Sequence, residues 1–375
     1  QRFSKISSME NPKFRQSSSV MALLKSCAKK KDLQECIKIH ADVVKSGLLS
    51  KELYIANTLV SLYAKCGDLN KSREVFDQIQ IRNVVSWTAL IASYAQHGHG
   101  EEAIKCFEQM QRIDGFSPDA FTYACILKAC GTLKTSEQGQ EIHGKVEKEG
   151  LLMKNVLVGT ALIDMYAKCG ELSKAHEVFH QIPIRNVVSW TSLISGYNQH
   201  GYGKEALIFY EEMIYEGLSP NVVTFICILK ACASIGAIEK GNEIYVFIVR
   251  GGLLENNIVL GTALVDMYAK CGSLVKAKEV FDTLQVRNVI SWTALIAGYA
   301  QHGHGDEALI LFEKMQRDGF HPNEVTFSCV LKACGSIGAL DKGKEIHQDI
   351  SRRKSLGKDP LVGNALVDMY AKCGE

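Results

Sequence analysis

Residues 187–221 read VVSWTSLISGYNQHGYGKEALIFYEEMIYEGLSPN. Trp190, Leu193, Ile194 and Tyr197 recur at i, i+3, i+4 and i+7, the period of a helix that buries one face. His200-Gly201-Tyr202-Gly203 then breaks the pattern. A second apolar stripe follows in Ala206, Leu207, Phe209, Tyr210 and Met213, and Gly217 with Ser219-Pro220 ends it. The stretch spells two antiparallel helices. Neither can bury its stripe alone, so such pairs have to stack.

The flanking sequence supplies the stack. Asn-Val-(Val/Ile)-Ser-Trp ends at Trp87, Trp190 and Trp292. Leu-Lys-Ala-Cys starts at Leu127, Leu229 and Leu331. Tyr-Ala-Lys-Cys-Gly starts at Tyr63, Tyr166, Tyr268 and Tyr370, in steps of 103, 102 and 102 residues. Three repeat lengths rotate. The 36-residue type covers 17–52, 120–155, 222–257 and 324–359; the 31-residue type covers 53–83, 156–186 and 258–288, with 360–375 beginning another. The third type covers 84–119, 187–221 and 289–323, with one extra residue near Ile113 in its first copy. Such a period predicts an all-α solenoid whose function lies along a surface and not in one pocket.

Composition narrows the function. A net charge of +2 on 375 residues leaves any nucleic-acid contact to charge placement. No apolar run reaches the length of a transmembrane helix, so no membrane partner is expected. Eleven of thirteen cysteines recur at fixed phase without a CxxC pair, which predicts reduced core thiols and no metal. No nucleophile, acid pair or ligand cluster stands out of the repeat, so neither an enzyme nor a cofactor is expected. Residues 1–16, with four basic residues and one acid, read as a linker or tail. The chain starts without Met and stops at Glu375 inside a motif, as a piece of a longer array would.

These motifs resemble the pentatricopeptide repeat, and the rotation of lengths resembles the plant PLS subclass, of the organellar RNA-editing-factor type. Under that resemblance 187–221 is a P repeat, 222–257 an L repeat and 258–288 an S repeat, and the whole array from 17 to 375 follows the same rotation. The resemblance implies a right-handed α-solenoid of helix-turn-helix repeats, the PPR superhelix, with the first helices on its concave side. It implies sequence-specific binding of single-stranded RNA, one base per repeat, in a mitochondrion or chloroplast. It also implies accessory organellar editing proteins as partners of the L repeats. The deaminase signature H-x-E with P-C-x-x-C is absent from this sequence. In an editing protein these residues would supply the address and not the chemistry.

The resemblance assigns base choice to the fifth and last residues of each repeat. The fifth positions of S and P repeats are Asn57, Thr88, Thr160, Thr191, Thr262, Thr293 and Asn364; the last are Asn83, Asp119, Asn186, Asn221, Asn288 and Asn323. A threonine at the fifth position is expected on the solvent side of its helix. Carboxylate oxygens only accept, which suits the N–H of guanine or uracil, whereas an Asn amide donates and accepts, which suits adenine or cytosine. The family's pairings give 5′-Y-G-N-A-A-N-A-A-N-Y-3′ from residue 53 onward, the last letter from Asn364 alone. L repeats carry Met21, Ala124, Ile226 and Ser328 at the fifth position, so little base choice is expected there.

The second residues, Tyr54, Val85, Leu157, Val188, Val259, Ile290 and Leu361, lie three before the fifth and share its helix face. The resemblance makes them a base sandwich; inter-repeat packing is the plainer reading. Lys65, Lys168, Lys270 and Lys372 lie eight after the fifth position, near the same face, and are the candidate phosphate contacts. Lys128, Lys230 and Lys332 are weaker candidates. The alternative function is a protein-binding scaffold of tetratricopeptide type, which keeps a single repeat length.

Overall fold

The computed structural model describes residues 12–255, 257–353 and 359–375, with side chains from residue 19. Every regular element among them is a helix. The linker expected over residues 1–16 lies largely outside the described residues, and a helix, Pro12–Lys30, begins within it.

The chain forms two compact bodies, one ending at Gly196 and the other beginning at Tyr197. In the first, helices Pro12–Lys30, Leu53–Lys65, Val84–Gln96, Ala120–Leu133 and Val156–Lys168 pack in succession. Leu33–Lys45, Leu69–Asp77, Gly100–Arg112, Ser136–Lys148 and Leu172–Gln181 alternate with them, after turns of two or three residues. In the second body the successive first helices are Val222–Ile235, Ile258–Lys270, Val289–Gln301, Glu324–Ile337 and Pro360–Cys373. Their companions Ile238–Arg250, Leu274–Thr283, Gly305–Arg317 and Leu340–Arg352 pack beside them. Turns this short bring each pair back on itself.

Recurrent motifs become recurrent contacts. Trp87, Trp190 and Trp292 are buried and meet the rings of Phe76, Phe179 and Phe281 edge-on at 4.7, 4.5 and 4.6 Å. The other side of each Phe carries a guanidinium, from Arg82, Arg185 and Arg287, at 4.7, 5.0 and 4.8 Å. Each of these arginines also donates from Nε to the carbonyl of that same Phe. One aromatic side chain thus fastens a second helix, the following turn and the next first helix.

A different fastener joins the other hairpins. Tyr63, Tyr166 and Tyr370 bond through their hydroxyls to Nδ1 of His40, His143 and His347 at 2.8, 2.9 and 2.9 Å. Tyr268 instead donates to Asn242 at 2.9 Å. Burial lowers the pKa of His40 and His143. The glycine of Tyr-Ala-Lys-Cys-Gly closes the turn: Gly67, Gly170, Gly272 and Gly374 have φ of +87, +83, +79 and +85°, a region L side chains rarely adopt.

All thirteen cysteines are free. Burial pushes the Cys125 thiol up to about 11 and those of Cys36 and Cys232 to about 12, so they remain protonated packing groups.

Candidate nucleic-acid interface

Each last-position residue immediately precedes a first helix, whose opening N–H groups have no partner within the helix. Oδ1 of Asn83, Asp119, Asn186, Asn221, Asn288 and Asn323 accepts the N–H three residues on, from Ser86, Thr122, Ser189, Thr224, Ser291 and Thr326. The distances run from 2.8 to 3.0 Å. These residues are therefore N-caps. The cap also fixes what faces away from the helix. With Oδ1 committed inward, an Asn offers its amide NH2 and an Asp its second oxygen. Among the described residues these second atoms have no hydrogen-bond partner.

The fifth positions differ from expectation. Asn57, Thr88, Thr160, Thr191 and Thr293 are buried and Thr262 is half-buried; Asn364 alone is exposed. The position faces the seam between neighbouring first helices, which the period of one helix does not reveal. Thr88, Thr191, Thr262 and Thr293 contact the carbonyl four residues back at 2.6–2.7 Å. Oγ1 of Thr160 and Oδ1 of Asn57 are buried without a partner among the described residues. In the L repeats Ala124 and Ser328 are buried, and Met21 and Ile226 half-buried.

The second positions are exposed in every case named, from Tyr54 and Leu361 to Ile290. Phe121, Val223 and Val325, the equivalent residues of L repeats, are exposed as well. The same phase count that marks the S and P repeats marks these three. Scattered exposed aliphatics are ordinary, but the same helix position is exposed on ten first helices, in a recurring phase within each body.

Two grooves show how these rows combine. One, of about 340 Å³, is lined by Lys65, Val85, Thr88, Asp119 and Phe121 together with Ser61 and Gln96. It joins one candidate phosphate contact, a fifth–last pair and two second-position side chains. The other, of about 310 Å³, is lined by Phe121, Ala124, Lys128, Leu157, Thr160, Asp164 and Val188. Both volumes fall in the usual range of ligand clefts, roughly 300–1,000 Å³.

The lysines divide. Lys168, Lys270 and Lys372 pair with Asp164, Asp266 and Asp368 one turn back, at 2.6, 2.8 and 2.8 Å. Lys65 has Ser61 at that position and opens into the first groove. Those acids stand in plain view at i−4 and were overlooked. Among the described residues no cluster of three or more His, Cys, Asp or Glu could hold a metal, and no helix is long and apolar enough to cross a membrane.

Known proteins carry the same features. A profile described as the PPR repeat family matches residues 82–132, 185–234 and 287–336, and one described as the PPR repeat matches 18–48, 54–84, 160–187 and 262–289. A chloroplastic pentatricopeptide repeat-containing protein of Arabidopsis thaliana is 38% identical over 354 residues, 94% of this chain and 56% of its own length. A mitochondrial one from the same plant is 35% identical over 354 residues, 94% of this chain and 51% of its own. The chain spans about half the length of these curated relatives. The crystal structure of the pentatricopeptide repeat protein PPR10 with an 18-nucleotide psaJ RNA element superposes with a TM-score of 0.67 at 18% identity, over 84% of this chain and 47% of that one. That likeness identifies the fold as an α-solenoid of helical hairpins.

Proposed function

The chain belongs to the pentatricopeptide repeat family, and from that membership we propose that its first-helix face binds single-stranded RNA in a sequence-specific way, one base per repeat. The observation that carries this reading is the groove of Lys65, Val85, Thr88, Asp119 and Phe121. It offers a cation for a phosphate, two apolar side chains to flank a base, and a pair of oxygens to meet its edge.

The array rotates L, S and P repeats from residue 17 to residue 375, and the target is 5′-Y-G-N-A-A-N-A-A-N-Y-3′. Its setting is an organelle, chloroplast or mitochondrion, as for the relatives above. Its role there is to address a C-to-U editing reaction to one transcript. A wrong base leaves a desolvated polar group unmatched, at about 1–3 kcal/mol each.

The experiment is titration of the chain with that ten-nucleotide RNA and with a shuffled version at one fixed salt concentration. Equal affinities would sink the reading. A sharper version uses Asp119→Asn, which exchanges the outward oxygen for an amide NH2 while keeping the cap. The preference at the second nucleotide then moves from G to A; a uniform loss across all four bases contradicts the pairing.

A second surface suits a protein partner. The second helix Ile238–Arg250 exposes Val246, Phe247 and Val249, where the equivalent helix Ser136–Lys148 has Gly144, Lys145 and Glu147. We assign this face to an accessory editing protein. Phe247→Asp should abolish that association and leave RNA affinity unchanged; an affinity for RNA that falls in step would count against it.

A further inference from the structure

The third residue of the repeat that follows a P repeat has no role in the reading above, yet it is built into it. Thr122 is completely buried. Its Oγ1 lies 2.6 Å from Oγ1 of Thr88, and it donates to Oδ1 of Asp119 at 2.7 Å. Thr326 repeats this in the other body, 2.7 Å from Oγ1 of Thr293 and donating to Asn323 at 2.8 Å. In both places one buried hydroxyl joins the fifth residue of a repeat to its last. After an S repeat the arrangement differs. Ser86 donates to Oδ1 of Asn83 at 3.1 Å and Ser189 and Ser291 to the backbone carbonyls of Asn186 and Asn288 at 2.8 and 2.9 Å, while Oδ1 of Asn57 and the hydroxyl of Thr160 at the fifth positions are unpartnered among the described residues.

The protons can be counted. A carboxylate only accepts, so the hydrogen between Thr122 and Asp119 belongs to Thr122. A charged acceptor holds it more strongly than a neutral one. The 2.6 Å contact between the two threonine oxygens then needs the Thr88 hydrogen, which Thr88 otherwise directs to the carbonyl of Val84 at 2.7 Å. Either way the single Thr88 hydrogen points into the protein. What Thr88 offers outward is a lone pair. Asp119, its Oδ1 doubly engaged by the N–H and O–H of Thr122, offers Oδ2.

We infer that Thr122 and Thr326 are specificity-determining positioning residues: each fixes the hydrogen-bonding polarity of the fifth–last pair beside it. The inference rests on the RNA reading proposed above. Thr88 and Asp119 together present two adjacent acceptors. Of the four bases, only guanine shows two adjacent donors, N1–H and N2–H2, on its Watson–Crick edge. Thr293 and Asn323 present an acceptor beside a donor. That pattern fits the amino group and ring nitrogen of adenine or cytosine and rejects guanine and uracil. Without the joining hydroxyl, the fifth-position threonine keeps only its own backbone carbonyl as a partner and the last residue only the cap N–H, so the two side chains are no longer tied to each other and tolerate a wrong base more readily.

The test measures affinity for the ten-nucleotide RNA with each base in turn at nucleotide two, for the wild type, Thr122→Val and Thr122→Ser. Valine keeps the shape and the backbone cap but removes the hydroxyl; serine restores it. The expected result is a G-over-A preference that falls about tenfold in Thr122→Val and returns in Thr122→Ser, with nucleotide eight unaffected. Ser189→Ala, made beside the unjoined pair Thr160/Asn186, should leave discrimination at nucleotide four intact. Full discrimination in Thr122→Val overturns the inference. So does a loss shared equally by all four bases, since that marks a purely structural role. A wild type indifferent to nucleotide two overturns the RNA reading itself and the inference with it.

Discussion

Ile290 and Trp292 stand two residues apart on one helix and do opposite things. Trp292 is 0% exposed and packed edge-on against Phe281; Ile290 is 64% exposed and touches solvent. Both are large and apolar, and hydropathy alone does not separate them. What separates them is the preceding hairpin, whose Phe281 covers the indole. A first helix in this fold is covered by its own second helix and by first helices before and after it, so one narrow strip stays open. The second positions occupy that strip and the tryptophans lie beneath it. An apolar residue left in water at the same phase, repeat after repeat, is not explained by the core, and it is the set of side chains the proposed RNA contact uses.

The contrast is broken most directly at its buried end. Trp292→Ala should lower stability by about 3–5 kcal/mol, read from the urea midpoint. Trp292→Phe should lose far less, because the indole nitrogen has no partner among the described residues. At the exposed end, Ile290→Asp should leave the urea midpoint within about 0.5 kcal/mol while RNA affinity falls about tenfold, roughly 1.4 kcal/mol. An aspartate that unfolds the protein would show that the row packs and does not stack. Reversal of the two variants' effects would abolish the distinction altogether.

Smaller effects sharpen it. Burial lowers the pKa of His40 and His143 below the ordinary 6.5, so folding favours their neutral form. Their contribution to stability is complete above that value and is lost as pH falls through it toward the lower folded pKa. Thermal melts from pH 7.5 to 5 should show this loss, and His143→Asn, which removes the titrating imidazole, should reduce it. A melting temperature flat across that range would remove the histidines from the account. Least of all, Lys65→Ala should reduce the salt slope of RNA binding by about one ion, and Lys270→Ala, whose partner Asp266 already neutralises it, by less. Equal slopes for the two would mean that the aspartates yield to phosphate.

Much of this was legible in the amino-acid order. The apolar stripes pointed to stacked helical hairpins because every helix has to bury a stripe, and the stripe repeats. The caps have a sequence signature of their own: Asn-Val-(Val/Ile)-Ser is a capping box in which Ser86 or Ser291 returns the bond to its asparagine. Burial of the fifth-position threonines was not legible. Thr88 is covered by a neighbouring helix more than thirty residues away, and its partner Thr122 is fixed by packing geometry. The period of one helix reports which face is apolar; it does not report what sits in the seam between two helices.

The capping role of Asn83, Asp119 and their equivalents limits what this surface can come to recognise. Asn and Asp are nearly equal as caps, so on the pairing proposed above exchanging one for the other rewrites a letter of the target at almost no cost to folding. A residue that cannot cap forfeits about 1 kcal/mol of helix stability at every position where it is tried. The vocabulary open to natural drift, or to deliberate retargeting, is therefore the short list of side chains that can start a helix. A protein of this design is free to change its message only in an alphabet its own scaffold has already approved.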